Sequence, residues 1–274
     1  MVDSYPRDDD LRSSPPLTSP RMRRVIFNQK GGVGKSSIAV NLAALSAQRG
    51  LSTLFLDLDA QGNATHYLLG PAPPEVTIAG FFEQFLSFRL GEDSLSEFVL
   101  HTPYENLALV AAAPVLNELQ SRLEAKHKIN KLRDGLDALD AYDAVYIDTP
   151  PAFNFYTLSA LIAADACLIP FDCDAFSRHA LYALLENVAE VRADHNPDLR
   201  VEGIVVNQFQ AQANLPQRVV DELRAEDLPV LDTLLPASVK MRESHEAATP
   251  LVHFAPRHKL ARAFVDLYDE LQAA

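Results

Sequence analysis

The stretch that decides the fold is NQKGGVGKSS, residues 28–37. It holds three of the ten glycines of the chain within four positions, between an apolar run and a helical pattern. Glycines in such a loop let backbone N–H groups turn inward around phosphate oxygens, and the N-terminus of the following helix adds donors and partial positive charge. Lys35 can bring a mobile cation to the outer phosphates, and the Ser36 hydroxyl can ligate Mg²⁺. The stretch therefore predicts a phosphate-binding loop.

The loop departs from two common phosphate-binding patterns. The pattern GxxxxGK[ST] requires a glycine where this chain has Gln29, and an additional lysine, Lys30, follows it. The dinucleotide pattern GxGxxG requires a third glycine at Ser37. The extra lysine is thus the feature that distinguishes this loop.

Outward from the loop, short apolar runs alternate with helical patterns, as in a parallel sheet covered by helices. Strands are predicted at 23–28, 52–57, 106–112, 143–148, 166–171, 201–207 and 229–233, and helices at 35–48, 77–89, 114–139, 154–163, 178–193, 215–226 and 257–272. We expect an α/β fold: a mostly parallel, twisted sheet of about seven strands with helices on both faces. Residues 22–274 should form one domain behind a flexible, proline-rich tail, 1–21, and a true start at Met22 stays open.

Composition narrows the class of protein. The 274 residues are 48% hydrophobic and 22% charged, which excludes disorder throughout, and the N-terminus has no apolar run typical of a secretion signal. We therefore expect a cytoplasmic protein.

Cys167 and Cys173 predict neither a disulfide framework nor a zinc site. The net charge of −13 argues against a constitutive DNA-coating protein, although a local basic patch can still contact phosphates.

Acidic residues end two of the predicted strands. Asp57 and Asp59 close the apolar run LFLDLD and share one face of the strand by its two-residue period. Asp148 closes AVYID, and two prolines follow it. Because open α/β sheets place ligands at the carboxyl ends of their strands, all three carboxylates are expected near the phosphate loop.

Together, these motifs resemble the ParA/MinD superfamily of dimeric partitioning ATPases, whose deviant Walker A motif is similar to KGGVGKS at 30–36. The resemblance runs over about residues 22–274 and implies ATP and Mg²⁺ as cofactors. It implies that Lys30 reaches across an ATP-bound homodimer to the partner's phosphates. The stretch at 57–65 looks like the family's D-x-D-P-Q-G-N-A-T, with Ala60 in place of proline.

The resemblance assigns roles residue by residue. Catalysis is expected from Lys30, Lys35 and Asp59, with Asp59 orienting or activating the attacking water. Magnesium is expected near Ser36, Asp57 and Asp148, the two acids acting from its outer shell or through water. ATP contacts are expected from Lys30, Gly31, Gly32, Val33, Gly34, Lys35, Ser36, Ser37, Asn207 and Pro236, the last two of them at the adenine.

One segment departs from the family. Where relatives commonly read P-x-Q-x-E-x-x-A-L-x-G, residues 170–180 read PFDCDAFSRHA. The change bears on dimer or partner contacts rather than on ATP binding.

Two basic stretches are candidates for DNA contact. The first, at 119–133, contains five Lys or Arg residues on a predicted helix. The second is favoured because relatives bind DNA near their C-terminus: Lys240, Arg242, Arg257, Lys259 and Arg262. A solvated helix face remains the alternative for either stretch.

The leading hypothesis is an ATP-dependent dimeric switch that binds DNA nonspecifically, associates with the nucleoid and positions a plasmid, chromosome or protein cargo. A ParB-like protein or cargo adaptor would stimulate hydrolysis. The main alternative is a MinD-like positioning ATPase on a membrane surface, which needs a basic amphipathic C-terminal helix. The last twelve residues contain three acids and no base, so a membrane partner is not expected. A metal-cluster carrier and a metabolic kinase are less consistent with the cysteines and with Lys30.

Overall fold

The computed structural model describes residues 21–87, 91–174 and 177–273. Nearly all of the predicted tail therefore lies outside the described residues, and its flexibility and the single-domain assignment remain predictions. The strands are β1 (Met22–Ile26), β2 (Thr53–Asp57), β3 (Leu100–His101), β4 (Leu107–Val110), β5 (Ala144–Asp148), β6 (Ala166–Asp172) and β7 (Arg200–Asn207).

Eleven α-helices are assigned within these ranges. They are α1 (Lys35–Gln48), α2 (Asn63–Leu69), α3 (Ile78–Glu83), α4 (Leu116–Ala125), α5 (Lys131–Asp137), α6 (Phe155–Ala163), α7 (Ser177–Asp194), α8 (Asn214–Ala225), α9 (Val239–Glu246), α10 (Leu251–Phe254) and α11 (Lys259–Ala273). None of these helices is both long enough and apolar enough to cross a membrane.

The strands form one sheet in the order β3-β4-β2-β5-β1-β6-β7. Every pairing is parallel except that of β3 with β4. The predicted fold class is therefore confirmed. β1 lies between β5 and β6. The chain passes from β1 through α1 to β2 on one side of β1, and it later passes from β5 through α6 to β6 on the other side. This is the position at which open α/β sheets bind ligands.

The seventh strand was wrongly predicted at 229–233. This segment pairs with β7 only through an isolated bridge between Ile204 and Val230, and the ladder is interrupted where the Asp232 N–H donates to Glu270. The actual seventh strand is β3, which has two residues and pairs antiparallel to the edge strand β4. Two residues are too few to produce a hydrophobic period, so no sequence pattern indicates this strand.

Three helix predictions also need correction. The helix predicted at 77–89 is α-helical from Ile78 to Glu83 and continues as a short 3₁₀ turn at 84–86, and its residues 88 and 89 lie outside the described residues. The one predicted at 114–139 is two helices, because the chain takes a left-handed conformation at His127, with φ of 52°. The short helices α2, α9 and α10 had not been predicted.

Alternation along the strands divides the core between the two faces of the sheet. Val25 and Phe27 pack on one face with Leu54 and Ile147. Ile26 packs on the other with Phe55, Tyr146 and the helices α1 and α11. The apolar face of α11, which includes Phe264, Leu267 and Leu271, is buried in this second layer. Both faces are thus covered by helices, as a parallel sheet requires.

Candidate nucleotide site

The loop between β1 and α1 has the backbone of a phosphate cradle. Gly32 and Gly34 have φ of 78° and 94°, a left-handed conformation that side chains rarely adopt. A Cβ atom on Gly34 would lie 2.2 Å from the Nδ2 atom of Asn207, so this glycine is also needed for space. The hydrogen-bond ladder of α1 begins with the Ile38 N–H, which donates to the Gly34 carbonyl at 2.9 Å. The amides of Lys35, Ser36 and Ser37 therefore precede the ladder.

Lys35 lies buried beneath the loop. Its ammonium donates to the Lys30 carbonyl at 3.0 Å, across the opening of the cradle. Burial lowers the pKa of Lys35, and the nearby carboxylates of Asp148 and Asp59 oppose this effect. A cation with little solvent around it gains most from an anion placed beside it, so the site is electrostatically prepared for phosphate.

Two fully buried carboxylates lie side by side at the ends of β2 and β5, where Asp57 and Asp148 pair in register. Asp57 accepts hydrogen bonds from the Thr65 N–H and hydroxyl, each at 2.8 Å, and from the Asp59 N–H at 3.0 Å. Burial nevertheless raises the pKa of Asp57 to about 6. Donors from the turn and helix that follow β2 thus hold this carboxylate in place.

Asp148 is the less satisfied of the two acids. Among the described residues, neither of its buried carboxyl oxygens has a hydrogen-bond partner. Burial and the neighbouring charge of Asp57 raise the pKa of Asp148 well above its usual value, although the nearby Ser36 hydroxyl and Lys35 ammonium oppose this rise. A buried acid that receives so little hydrogen bonding can accept from a further positive or donating group, and a hydrated cation is a group of that kind.

Asp59 faces an open cavity of about 490 Å³. The cavity is also lined by the loop glycines, Lys35, Ser36, Ser37, Gln61, Pro151 and His245. Asp59 accepts a hydrogen bond from the Gln61 N–H at 3.0 Å, which fixes its carboxylate at the wall. Asp57 and Asp148 do not line this cavity. They can act on its contents only through intervening groups, whereas Ser36 and Asp59 can do so directly.

A second cavity, of about 510 Å³, adjoins the first and brings together Asn207 and Pro236, the predicted adenine contacts. Asn207 donates from Nδ2 to the Val33 carbonyl at 2.9 Å, so its amide is fixed against the loop. Its Oδ1 atom is the group left to accept from a base edge. Both cavities are lined by Gly32, Gly34, Ser37 and His245. Together they can hold a molecule with a ring at one end and phosphates at the other.

Lys30 does not point into the cradle. Its ammonium lies 2.6 Å from Asp172 and pairs also with Asp174, at the end of β6. Although partial burial opposes it, hydrogen bonding to these two acids raises the pKa of Lys30. Both acids belong to the segment that departs from the family pattern. They are contacts that the sequence prediction did not include.

The favoured basic residues lie at and beside this site. Arg242 on α9 and Leu260 on α11 line the same cavity, so the beginnings of these two helices lie close together. Lys240 pairs with Glu243, whereas the other four predicted DNA contacts, Arg242, Arg257, Lys259 and Arg262, form no ion pair among the described residues. In the other basic stretch, Lys126 donates to the Leu86 carbonyl and Lys131 pairs with Glu92. The second stretch therefore offers more cations for an external anion.

His245 was missed by the sequence prediction. It lies in the last turn of α9, in none of the recognised motifs, and the helix itself had not been predicted. His245 and Ser37 are 208 residues apart in the sequence. Only the fold brings the His245 ring to within 3.0 Å of the Ser37 hydroxyl.

The comparisons with known proteins agree with this geometry. The family model described as an AAA domain matches residues 23–201. The chromosome partitioning protein ParA of Myxococcus xanthus (strain DK1622) is 34% identical over 249 residues, which cover 90% of this chain and 86% of that protein. The sporulation initiation inhibitor protein Soj of Bacillus subtilis (strain 168) is 32% identical over 252 residues, covering 90% and 97%.

Among solved structures, a cobyrinic acid a,c-diamide synthase from Mycobacterium smegmatis with a bound ATP analogue and magnesium has a TM-score of 0.72. It is 26% identical, and the match covers 87% of this chain and 98% of that one.

Proposed function

This chain belongs to the ParA/MinD superfamily, with ParA and Soj chromosome-partitioning ATPases among its relatives, and we propose that it is a partitioning ATPase. In this proposal it binds Mg²⁺ and ATP, dimerises, binds DNA nonspecifically and hydrolyses ATP when an adaptor protein stimulates it. The observation that carries the proposal is the cradle of glycines, Lys35 and Ser36 that opens into a cavity walled by Asp59.

The phosphates would lie in the cradle, on the amides that precede the α1 ladder, with Lys35 moving from the Lys30 carbonyl to a phosphate oxygen. The Ser36 hydroxyl would help to hold Mg²⁺, which would supply positive charge that neutralises part of the charge on the phosphates. No described cluster of three or more acid, histidine or cysteine side chains could hold a metal alone.

Asp59 is proposed to act on the attacking water. It lines the cavity, and the Gln61 amide fixes one of its oxygens, so the other can accept a proton from a water molecule. Asp57 and Asp148 lie underneath and would orient the cation's waters. The hydrogen bonds to Asp57 also position the turn that carries Asp59, since the Asp59 N–H is one of its donors.

Dimerisation is proposed to require Lys30 to leave its two acids and reach the partner's nucleotide. A second cation on the phosphoryl oxygens stabilises the charge that develops during transfer. The negative charge of both chains opposes such a dimer, and Lys30 and Lys35 would offset this repulsion locally at the nucleotide.

Nonspecific DNA binding, and through it nucleoid association, is proposed for Lys240, Arg242, Arg257, Lys259 and Arg262. A chain of net charge −13 needs its cations concentrated on one surface, and a dimer doubles them along one duplex. Binding to a membrane surface receives less support, because the apolar face of α11 is packed against α1 and the sheet.

The direct test measures MgATP binding by calorimetry and phosphate release on the full chain and on Lys35→Ala. The wild-type chain should bind MgATP and hydrolyse it, and Lys35→Ala should lose binding. Arg49→Ala, which removes an ion pair on the surface with Asp269, is the matched control for loss of one cation and should bind normally. A wild-type chain that binds no MgATP would contradict the proposal.

A further inference from the structure

His245 lies where the two halves of the nucleotide cavity meet. It lines both of them, together with Ser37 and the two loop glycines Gly32 and Gly34. Its Nε2 atom is 3.0 Å from the Ser37 hydroxyl oxygen. A molecule with its ring beside Asn207 and its phosphates in the cradle would have its sugar and innermost phosphate at this junction.

Contacts between α9 and α2 hold the ring in place. Ser244, the preceding residue, is fully buried and hydrogen-bonds the Tyr67 hydroxyl at 2.7 Å. Tyr67 also contacts the imidazole edge-to-face, with ring centroids 4.6 Å apart. These contacts fix α9 against α2 and direct His245 at Ser37. The side chain of His245 itself is exposed to the cavity, so its removal opens no hole in the core.

The chemistry of the hydroxyl limits how this pair can work with an anion. Ser37 has one proton to donate, and phosphate oxygens only accept. If Nε2 accepted that proton, Ser37 could not donate to phosphate. If Nε2 carries its own proton and donates to the Ser37 oxygen, the hydroxyl proton is free to be donated to phosphate, so anion binding favours this tautomer.

We infer that His245 is a positioning residue for the nucleotide, which donates to Ser37 and thereby aims the Ser37 hydroxyl at the inner phosphate. The inference rests on the proposed function, since it requires a nucleotide in the cavity. Partial burial lowers the pKa of His245, which is consistent with a neutral ring that carries a single proton. The inner phosphate is common to ATP and ADP, so the contribution should be equal for both.

The test compares a side chain that keeps the donor with one of similar size that lacks it. His245→Gln can place an N–H near the Nε2 position, whereas His245→Leu cannot. Calorimetry with MgATP and MgADP on the full chain should show that His245→Leu weakens both by about 2- to 12-fold, the range for one net hydrogen bond. His245→Gln should stay within about twofold of the wild type. His253→Leu is the control, because this half-buried histidine stacks on Tyr104 and lines neither cavity.

A double-mutant cycle separates positioning from general packing. If His245 acts through Ser37, the variant Ser37→Ala/His245→Leu should bind MgATP no more weakly than Ser37→Ala alone. Additive losses would overturn the inference, and so would wild-type affinity in His245→Leu or a failure of Gln to restore binding. Thermal unfolding without nucleotide identifies any variant that has lost its fold, and the folded members then decide. A wild-type chain that binds neither nucleotide would instead refute the proposed function itself.

Discussion

The ammonium of Lys30 lies 2.6 Å from a carboxylate oxygen of Asp172, within its own chain. Asp174 pairs with the same ammonium. In the proposed dimer this lysine serves the partner's nucleotide, so these ion pairs must break before it can cross. The two acids stand where relatives commonly have the glutamine and glutamate of P-x-Q-x-E. The segment that departs from the family pattern thus determines where Lys30, the lysine expected from the resemblance to be catalytic, lies in the single chain.

Weakening the pair should favour the dimer. Asp172→Asn removes one of the two acids, and we expect ATP-induced dimers at protein concentrations lower by up to about 30-fold, because a half-exposed ion pair contributes about 0.2–1 kcal/mol and each dimer breaks two of them. Sedimentation velocity with MgATP measures the shift. Asp269→Asn, which breaks the exposed pair with Arg49, should leave the dimer unchanged. An unshifted or weakened dimer in Asp172→Asn would argue against restraint by this pair.

Removing the lysine should separate binding from dimerisation. Lys30→Ala keeps the loop backbone and Lys35, so MgATP binding to the monomer should remain measurable. ATP-induced dimers should be absent in light scattering, because the cation that crosses the interface is missing. Mixing this variant with Lys35→Ala chains adds a second readout, since sites shared by two subunits respond non-additively. Normal dimers with unchanged hydrolysis would remove the role of Lys30 in trans.

Asp59→Ala should separate nucleotide binding from hydrolysis. The Asp59 carboxylate lines the cavity, and in its hydrogen bonds among the described residues it has no side chain of the cradle as a partner. Its removal should therefore leave the cradle in place, and MgATP should still bind. Loss of a general base lowers the rate by about 10²–10⁴-fold, and the ATP-bound dimer should therefore accumulate. Phosphate release and sedimentation measure the two effects. Asp198→Ala, which removes an exposed acid in the turn between α7 and β7, is the control, and wild-type turnover by Asp59→Ala would exclude the assigned role.

The nucleotide-free protein should lose stability as the pH falls because of His245. Its pKa is lowered by partial burial, so the unfolded chain binds the proton more readily than the folded one. The contribution of His245 is therefore complete above about pH 6.5 and is lost below it. The melting temperature of the wild type, relative to that of His245→Gln, should fall between pH 7.5 and 5.5. Other titrating groups are shared by both chains, so a constant difference would contradict the assignment.

Much of the architecture was readable because it follows from local patterns. The strands β2, β5 and β6 are apolar runs that end in polar residues, and the glycine loop marks the beginning of α1. The segment at 229–233 misled because it is as apolar as a strand. It lies against β7, yet it forms only one bridge with that strand, because the backbone N–H of Asp232 donates to Glu270 on α11. Contacts of this kind join parts of the chain that are distant in sequence, and no local pattern encodes them.

The site could also be predicted only in part, because some of its contacts join residues that are distant in sequence. The carboxylates and the cradle lie within short motifs that have fixed spacing, so Asp57, Asp59 and Asp148 could be placed at one sheet edge from sequence. His245 reaches Ser37 only because Ser244 and Tyr67 fix α9 against α2. The restraint of Lys30 by Asp172 likewise depends on the fold, although the departure from the family pattern marked the segment that carries it.

DNA binding should be nonspecific, dependent on ATP and carried chiefly by Arg257 and Lys259. Both side chains are exposed, Arg257 in the turn before α11 and Lys259 at the first residue of that helix, and neither forms an ion pair among the residues described. They can therefore neutralise phosphates without first breaking an ion pair. A single chain of charge −13 should be repelled by DNA. The dimer presents each cation twice along one duplex, and nucleotide binding therefore conditions DNA binding through assembly.

The measurement uses Asp59→Ala protein with MgATP, which keeps the dimer, and fluorescence anisotropy on two unrelated duplexes across a salt series. Adding Arg257→Ala and Lys259→Ala should weaken binding equally on both duplexes and reduce the slope of log affinity against log salt by about 0.9 for each phosphate that is no longer neutralised. Arg122→Ala with Lys128→Ala makes the same change in net charge on the other basic stretch and should have a much smaller effect. Binding that ignores salt, persists without nucleotide or prefers one duplex would contradict this mechanism, because each would mean that something other than a doubled set of phosphate contacts holds the DNA.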